Sequence, residues 1–214
     1  MVEIRDSAGL EPAQTVEALQ AALERERARA REIDHRAKNS LQLVASLLLL
    51  HGRRCKEVET QQVLKAMHQR LGAVAAVHRD LLSAESADRF DLTRFIRDHV
   101  AALVQARGEG STVRLELDRV EVQAAHACPL ALIINELVLN ALTHGGRPGG
   151  EIALRLAAAG NGFVLTVQDD GPGRAPDAET GFGLTMVRLL AQQVGASFAL
   201  EAAEPGVRAV VTAA

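Results

Sequence analysis

Glu32-Ile33-Asp34-His35-Arg36-Ala37-Lys38-Asn39-Ser40-Leu41-Gln42 contains no Gly or Pro and lies inside a much longer helical pattern. At about 100° per residue, Ile33, Ala37, Leu41, Val44 and Leu48 gather on one side of that helix. His35, Asn39, Gln42 and Ser46 gather on the other. A histidine is therefore expected on the polar side, with Glu32 one turn before it and Lys38 and Asn39 one turn after. That placement suits a nucleophile reached by another part of the molecule, and His35 is expected to accept a phosphoryl group. The rest of the chain must then supply the donor.

Working outward, the helical pattern runs over residues 11–51 behind a loose tail at 1–10, and Gly52-Arg53-Arg54 is the expected break. A second helix is expected over 57–83, where Val63, Met67, Leu71, Val74, His78 and Leu81 recur at three-and-four spacing. Helices this long suggest a hairpin or coiled coil. The first one carries Leu43, Leu47, Leu49 and Leu50 outside its main stripe, so it wants a second apolar neighbour. A four-helix bundle built from two chains satisfies both hairpins, which predicts a homodimer through residues 11–85.

Composition narrows the class. The 214 residues are 48% hydrophobic but only 2% aromatic, with no Trp or Tyr, so aliphatic side chains must build the core and base stacking is excluded as a mode of binding. A net charge of −3 gives no electrostatic case for a nucleic-acid or membrane partner. Cys55 and Cys128, the two cysteines, read as thiols rather than a disulfide or metal pair. Met1 is followed by acidic residues rather than a basic-then-apolar run, and the window 41–50 is too short to span a bilayer. A cytoplasmic protein without membrane insertion is expected.

Beyond Ser83 the texture changes. Asp91 reads as the N-cap of a helix reaching about residue 106, and Gly108-Glu109-Gly110 breaks it. Strands are expected at 112–117, 120–123, 151–156, 163–169, 197–201 and 208–212, and helices at 126–144 and 183–194. The expected fold class is α+β: a helical hairpin (11–85), then an α/β sandwich (86–214) with a mixed sheet of about five strands. The segment 83–91 is the expected hinge.

Three features of the second part could carry chemistry. Glu136, Asn140 and His144 are four apart and share a helix face. A carboxylate and a carboxamide one turn apart suit a hydrated Mg²⁺ beside phosphates, and an ordinary amphipathic helix shows the same pattern. Asp169-Asp170-Gly171-Pro172-Gly173 leaves a strand into a glycine turn, where a carboxylate can accept from an exocyclic amine; a plain β-turn looks alike. Thr180-Gly181-Phe182-Gly183-Leu184 opens a helix whose N–H groups could face an anion, and residues 174–180 read as a lid. Each is weak alone; their order, behind a histidine-bearing helix, is the signal. His51, His68, His78, His99 and His126 read as surface or seam residues, because no cluster has metal spacing.

In that order the chain resembles the catalytic core of bacterial sensor histidine kinases over about residues 30–214. Asn135-Glu136-Leu137-Val138-Leu139-Asn140-Ala141-Leu142-Thr143-His144 is similar to the N box of the GHKL (Bergerat) ATP-binding domain. Asp169-Asp170-Gly171-Pro172-Gly173 and Gly181-Phe182-Gly183-Leu184 are similar to its two glycine boxes, and His35-Arg36-Ala37-Lys38-Asn39 to the H box of the HRxKN class. Asn135 and the lack of Trp set the chain apart from the related HWE subclass. Val207 stands where many relatives carry a Thr whose hydroxyl supports the adenine.

The resemblance implies a kinase that autophosphorylates His35 from Mg-ATP and passes the group to an aspartate of a response regulator. By the same resemblance Asn140 ligates Mg²⁺, and Glu136 acts as base or metal-site support. Asp169 binds the adenine amine in a pocket shaped by Gly171 and Gly173. Gly181 and Gly183, with Leu184 and His144 nearby, meet the phosphates and lid. Asn39 matches a position linked to water positioning during dephosphorylation of the partner. Glu32 is expected to orient the His35 ring. No sensor domain is visible, so either a separate sensor protein is a partner or the chain is a fragment of something longer. The alternative is a histidine phosphotransfer or scaffold protein with a silent ATP site; a GHKL serine kinase leaves the helical hairpin unexplained.

Overall fold

A computed structural model of the chain describes residues 12–83, 88–107, 111–145, 150–173 and 181–214. The tail at 1–10, the middle of the expected hinge, the break at 108–110 and the lid at 174–180 lie outside the described residues, as do some side chains of the first helix, His35 among them.

Two antiparallel helices come first, α1 (Pro12–Arg54) and α2 (Val58–Ser83). The turn between them falls at residues 55–57, not at the expected Gly52-Arg53-Arg54. Gly52 stays helical, and a Cβ there would make an ordinary contact with α2, 3.7 Å from Leu64 Cβ. The turn is held by Cys55 N donating to His51 O (2.9 Å) and Gln61 Nε2 donating to Cys55 O (2.6 Å). Ten residues further up α1 from the turn's neighbourhood the register is fixed again, where His68 Nδ1 donates to Ala45 O at 3.1 Å.

β1 (Arg89–Asp91) follows, then α3 (Leu92–Arg107), β2 (Ser111–Leu117), β3 (Glu121–Gln123) and α4 (Ala124–Asn140). Asp91 Oδ1 accepts from Arg94 N at 2.8 Å, so it caps α3 as its residue type predicts. β3 leaves the main sheet and pairs antiparallel with β1, a strand too short to show an alternation in the sequence. After α4 the helix widens into a five-residue π-helical turn (Ala141–Gly145). β4 (Gly150–Ala159), β5 (Gly162–Asp169), α5 (Phe182–Gln193), β6 (Ala196–Ala202) and β7 (Val207–Ala213) complete the chain.

The five-stranded sheet has order β2-β4-β5-β7-β6 and is mixed: β2 and β4 are parallel, and the other pairs are antiparallel. The parallel pair is possible because β3, α4 and the π-helical turn lie between its strands, long enough to cross over the sheet. Alternate residues of the strands point to one face, so Ile152, Leu154, Leu156, Leu165, Val167 and Val211 are buried beneath the helices. There they join Ile133, Ile134 and Val138 of α4, Phe95 and Ile96 of α3, and Val187 of α5 in one core. Val77 of α2 is fully buried in the same cluster, so the hairpin packs directly on the sandwich. The stretch Ala124–Gly145 is long and apolar enough to cross a membrane, but 67% of it is buried, as befits the central core helix.

Candidate functional site

α4, the strand end at Asp169 and the start of α5 meet around a cavity of about 470 Å³. Its apolar walls are Leu137, Ala141, Val167, Leu184, Leu200, Val207 and Ala209, and its polar groups come from Asn140, His144 and Asp169, with Gly173, Gly181 and Gly183 at the border. Seven of the residues picked from the sequence thus share one space.

Asp169 is held rigidly. Its Oδ1 accepts from Gly171 N at 3.0 Å and from Val207 N at 3.3 Å. Val207 therefore supports Asp169 through its backbone, whatever its side chain. Three glycines let the chain close round this carboxylate. The π-helical turn brings Gly145 against the Asp169 side chain, where a Cβ would collide with it. A Cβ on Gly171 would come within 2.6 Å of Gly145 Cα, and Gly206, at φ +91°, packs on the Asp169 carbonyl. Gly145 and Gly206 were not singled out in the sequence; only their type, beside a motif, hinted at the role.

The second polar cluster lies across the cavity border. Gly183 sits over Glu136, and a Cβ there would stand 2.8 Å from Glu136 Oε2 and 3.9 Å from Asn140 Nδ2. Gly181 is the N-cap of α5, with extended backbone and no side-chain cap, so the first N–H groups of that helix have no capping side chain. A flat apolar slot with a fixed carboxylate, beside a glycine-bounded patch of helix N–H groups and two oxygen-bearing side chains, fits a purine nucleotide and its phosphates.

Glu136 is not on an exposed polar face, as helix periodicity alone would have it. It is buried, and Arg70 of α2 grips it with two hydrogen bonds, Nε to Oε1 at 3.1 Å and Nη2 to Oε2 at 2.9 Å. The Arg70 guanidinium also lies over the Phe182 ring, with Cζ 5.0 Å from the centroid. Behind Glu136, Asn135 is fully buried, donating from Nδ2 to Glu136 Oε1 (3.2 Å) and accepting at Oδ1 from His99 Nε2 (3.2 Å). His99 stacks on Phe95, ring centroids 5.0 Å apart. Burial pushes the His99 pKa below its usual value, Arg79 adds to the shift, and the bond to Asn135 opposes it. Arg70 went unread in the sequence, and so did the contacts of Phe182, Asn135 and His99, because the partners lie up to 66 residues away.

On α1, Glu32 and Asn39 are exposed, and Glu32 Oε1 pairs with Arg36 Nη2 at 2.7 Å. Neither borders the cavity, nor does any other α1 residue among those described. Both cysteines are free, and burial raises the Cys128 thiol above its ordinary range.

A helical hairpin carrying a histidine, packed on a two-layer α/β domain with this cavity, is the arrangement expected from the resemblance to histidine kinases with a GHKL-type ATP-binding domain. The family comparisons agree. Residues 32–107 match the HisKA_2 histidine kinase family, and residues 125–213 match the histidine kinase-, DNA gyrase B- and HSP90-like ATPase family. The chain belongs to the histidine kinases of the HisKA_2 type.

Among curated relatives, the sensor histidine kinase PdtaS of Mycobacterium tuberculosis is 30% identical over 169 residues, 75% of this chain and 34% of that protein. The blue-light-activated histidine kinase 2 of Erythrobacter litoralis is 28% identical over 177 residues, 77% of this chain and 51% of that protein. The chain thus spans about a third to a half of the length of these relatives. The solved histidine kinase domain of the Erythrobacter litoralis EL346 blue-light activated kinase superposes with a TM-score of 0.64 at 21% identity, covering 81% of this chain and 93% of that one. At that identity the likeness establishes the fold.

Two outcomes follow from the geometry. Gly145→Ala forces Asp169 aside and should weaken adenine-nucleotide binding about tenfold, a typical overpacking cost of about 1.4 kcal/mol, measurable by calorimetric titration. His99 is half-buried and its pKa is lowered, so the unfolded chain binds more protons than the folded one just below the usual His pKa of 6.5. Stability should be level above that pH and fall as the pH drops below it. His99→Gln should flatten this fall in urea titrations.

Proposed function

We propose that the chain is an ATP-dependent protein-histidine kinase that phosphorylates His35 and passes the phosphoryl group to an aspartate of a response-regulator receiver domain. The observation that carries this reading is the single cavity joining Asn140, His144, Asp169, Gly173, Gly181, Gly183 and Leu184 in a chain whose first helix bears His35.

Asp169 accepts a hydrogen bond from the adenine amine, and Gly171 and Gly173 shape the space around it. The N–H groups at Gly181 and Gly183 receive phosphate oxygens. Asn140, joined by Glu136 once that carboxylate is free, holds Mg²⁺. Mg²⁺ bound there would neutralise phosphate charge, with nucleotide phosphates and water as its further ligands. Mg-ATP supplies the phosphoryl group and the charge neutralisation of its transfer. At pH 7 a His of ordinary pKa is mostly neutral, so a ring nitrogen of His35 offers its lone pair. The new P–N bond forms as the bond from phosphorus to the ADP oxygen breaks. Glu32 orients the ring when released from Arg36, and Asn39 positions water for the reverse, phosphatase reaction.

The functional units are a tail (1–10), a dimerising phosphoacceptor hairpin (11–85) and the ATP-binding domain (86–214), with the hinge at 83–91. Dimerisation is supported by the apolar residues that one hairpin leaves exposed: Leu43, Leu47 and Leu50 of α1, and Val63 and Met67 of α2. A cytoplasmic location belongs to the same reading. One observation favours a silent-site relay instead: Arg70 occupies Glu136.

Incubation with γ-labelled Mg-ATP separates the two. The kinase predicts acid-labile label that disappears in His35→Gln. Nucleotide binding without label would support the relay, and acid-stable label a serine or threonine kinase.

A further inference from the structure

Arg70 of α2 reaches across to Glu136 and Phe182 of the nucleotide-binding domain. Its guanidinium holds the Glu136 carboxylate, whose Oε2 lies against Gly183 near Asn140, where the phosphates and Mg²⁺ of the proposed function would have to lie. A guanidinium and a divalent cation compete for one carboxylate: both are positive, and Arg70 already takes both Glu136 oxygens.

The docking also holds this end of the cavity away from His35. Ala45 of α1 lies level with His68 of α2. In an antiparallel pair, moving from Ala45 up to His35 moves the facing position on α2 to about residue 78, some eight residues and about 12 Å beyond Arg70 at 1.5 Å per residue. Glu136 is thus anchored about two helical turns from the level of the phosphoacceptor.

We propose that Arg70 is a clasp. It neutralises Glu136, stacks under Phe182 at the start of α5, and keeps the domain parked on α2 until Mg-nucleotide displaces it. The proposal rests on the nucleotide site described above. Arg70 acts through Glu136 as a positioning residue, and its release couples metal loading to movement of the domain toward His35. The buried pair is strong enough for the task. Two charge-assisted hydrogen bonds in a partly desolvated cleft form a specific latch, and loss of either partner leaves the other charge buried.

The test compares the full chain with Arg70→Met and Arg70→Lys, titrated with a non-hydrolysable ATP analogue by calorimetry, with and without Mg²⁺. Arg70→Met keeps the side-chain length and removes the charge. The clasp predicts about tenfold tighter binding in Mg²⁺, the order expected for removing a competing cation, and little change in EDTA. Arg70→Lys, a single-point donor, should fall between Arg70→Met and the parent. Phe182→Ala, an exposed position that leaves the core intact, should shift affinity the same way by a smaller factor. A purely structural role for Arg70 would not depend on Mg²⁺. Weaker binding by Arg70→Met in both conditions would make Arg70 a phosphate ligand and overturn the clasp while leaving the nucleotide reading intact, and equal affinities would overturn it likewise. If neither the parent nor Arg70→Met binds nucleotide, the nucleotide reading falls, and the clasp with it.

Discussion

The ion pair between Arg70 and Glu136 ties the two halves of the molecule together. Apolar packing of Ala73 and Val77 brings α2 onto the sandwich, but packing along a helix tolerates sliding. A bidentate guanidinium–carboxylate contact does not, because both hydrogen bonds must be in line. Its burial raises the stakes further: separating the partners strands a charge in a cleft that already carries fully buried Asn135. The pair therefore sets where the cavity stands along the hairpin, and what must happen before Glu136 can serve a metal.

Around that anchor the site is built from exact closeness rather than from many polar side chains. Asp169 is fixed by two backbone N–H groups and walled by Gly145, Gly171 and Gly206. The π-helical turn after α4 has a mechanical purpose here. It ends the regular helix at Asn140 and sets Gly145 beneath the carboxylate, so one segment supplies the candidate metal ligand and the floor of the adenine end. His99 and Asn135 extend the polar chain from Glu136 back to the cleft between α2 and α3.

Much of this was legible in residue order. Strict alternation in β4 and β5 marks strands buried on one face, and Asp91 marks the start of α3. The glycine motifs around Asp169 and Gly181 sit where backbone must approach backbone. Other features were hidden for physical reasons. A glycine is tolerated inside a helix that packs on a neighbour, so Gly52 stays helical against α2 and the turn falls at 55–57. β1 and β3, three residues each, take their identity from pairing with one another. Glu136 carried a misleading signal: helix periodicity places it on a polar face, and only a cation from another element explains how it is buried.

The central claim is that the nucleotide-binding domain is parked on α2 and leaves it when Mg-nucleotide binds, bringing its cavity toward His35. Pulsed electron-spin distance measurement tests this directly, with labels at the exposed positions Glu59 on α2 and Ser197 on β6 in a chain whose Cys55 and Cys128 are replaced by Ser. The account predicts one narrow distance without nucleotide and a second, distinct population at saturating Mg²⁺ and non-hydrolysable ATP analogue. An unchanged narrow distance at saturation would contradict it.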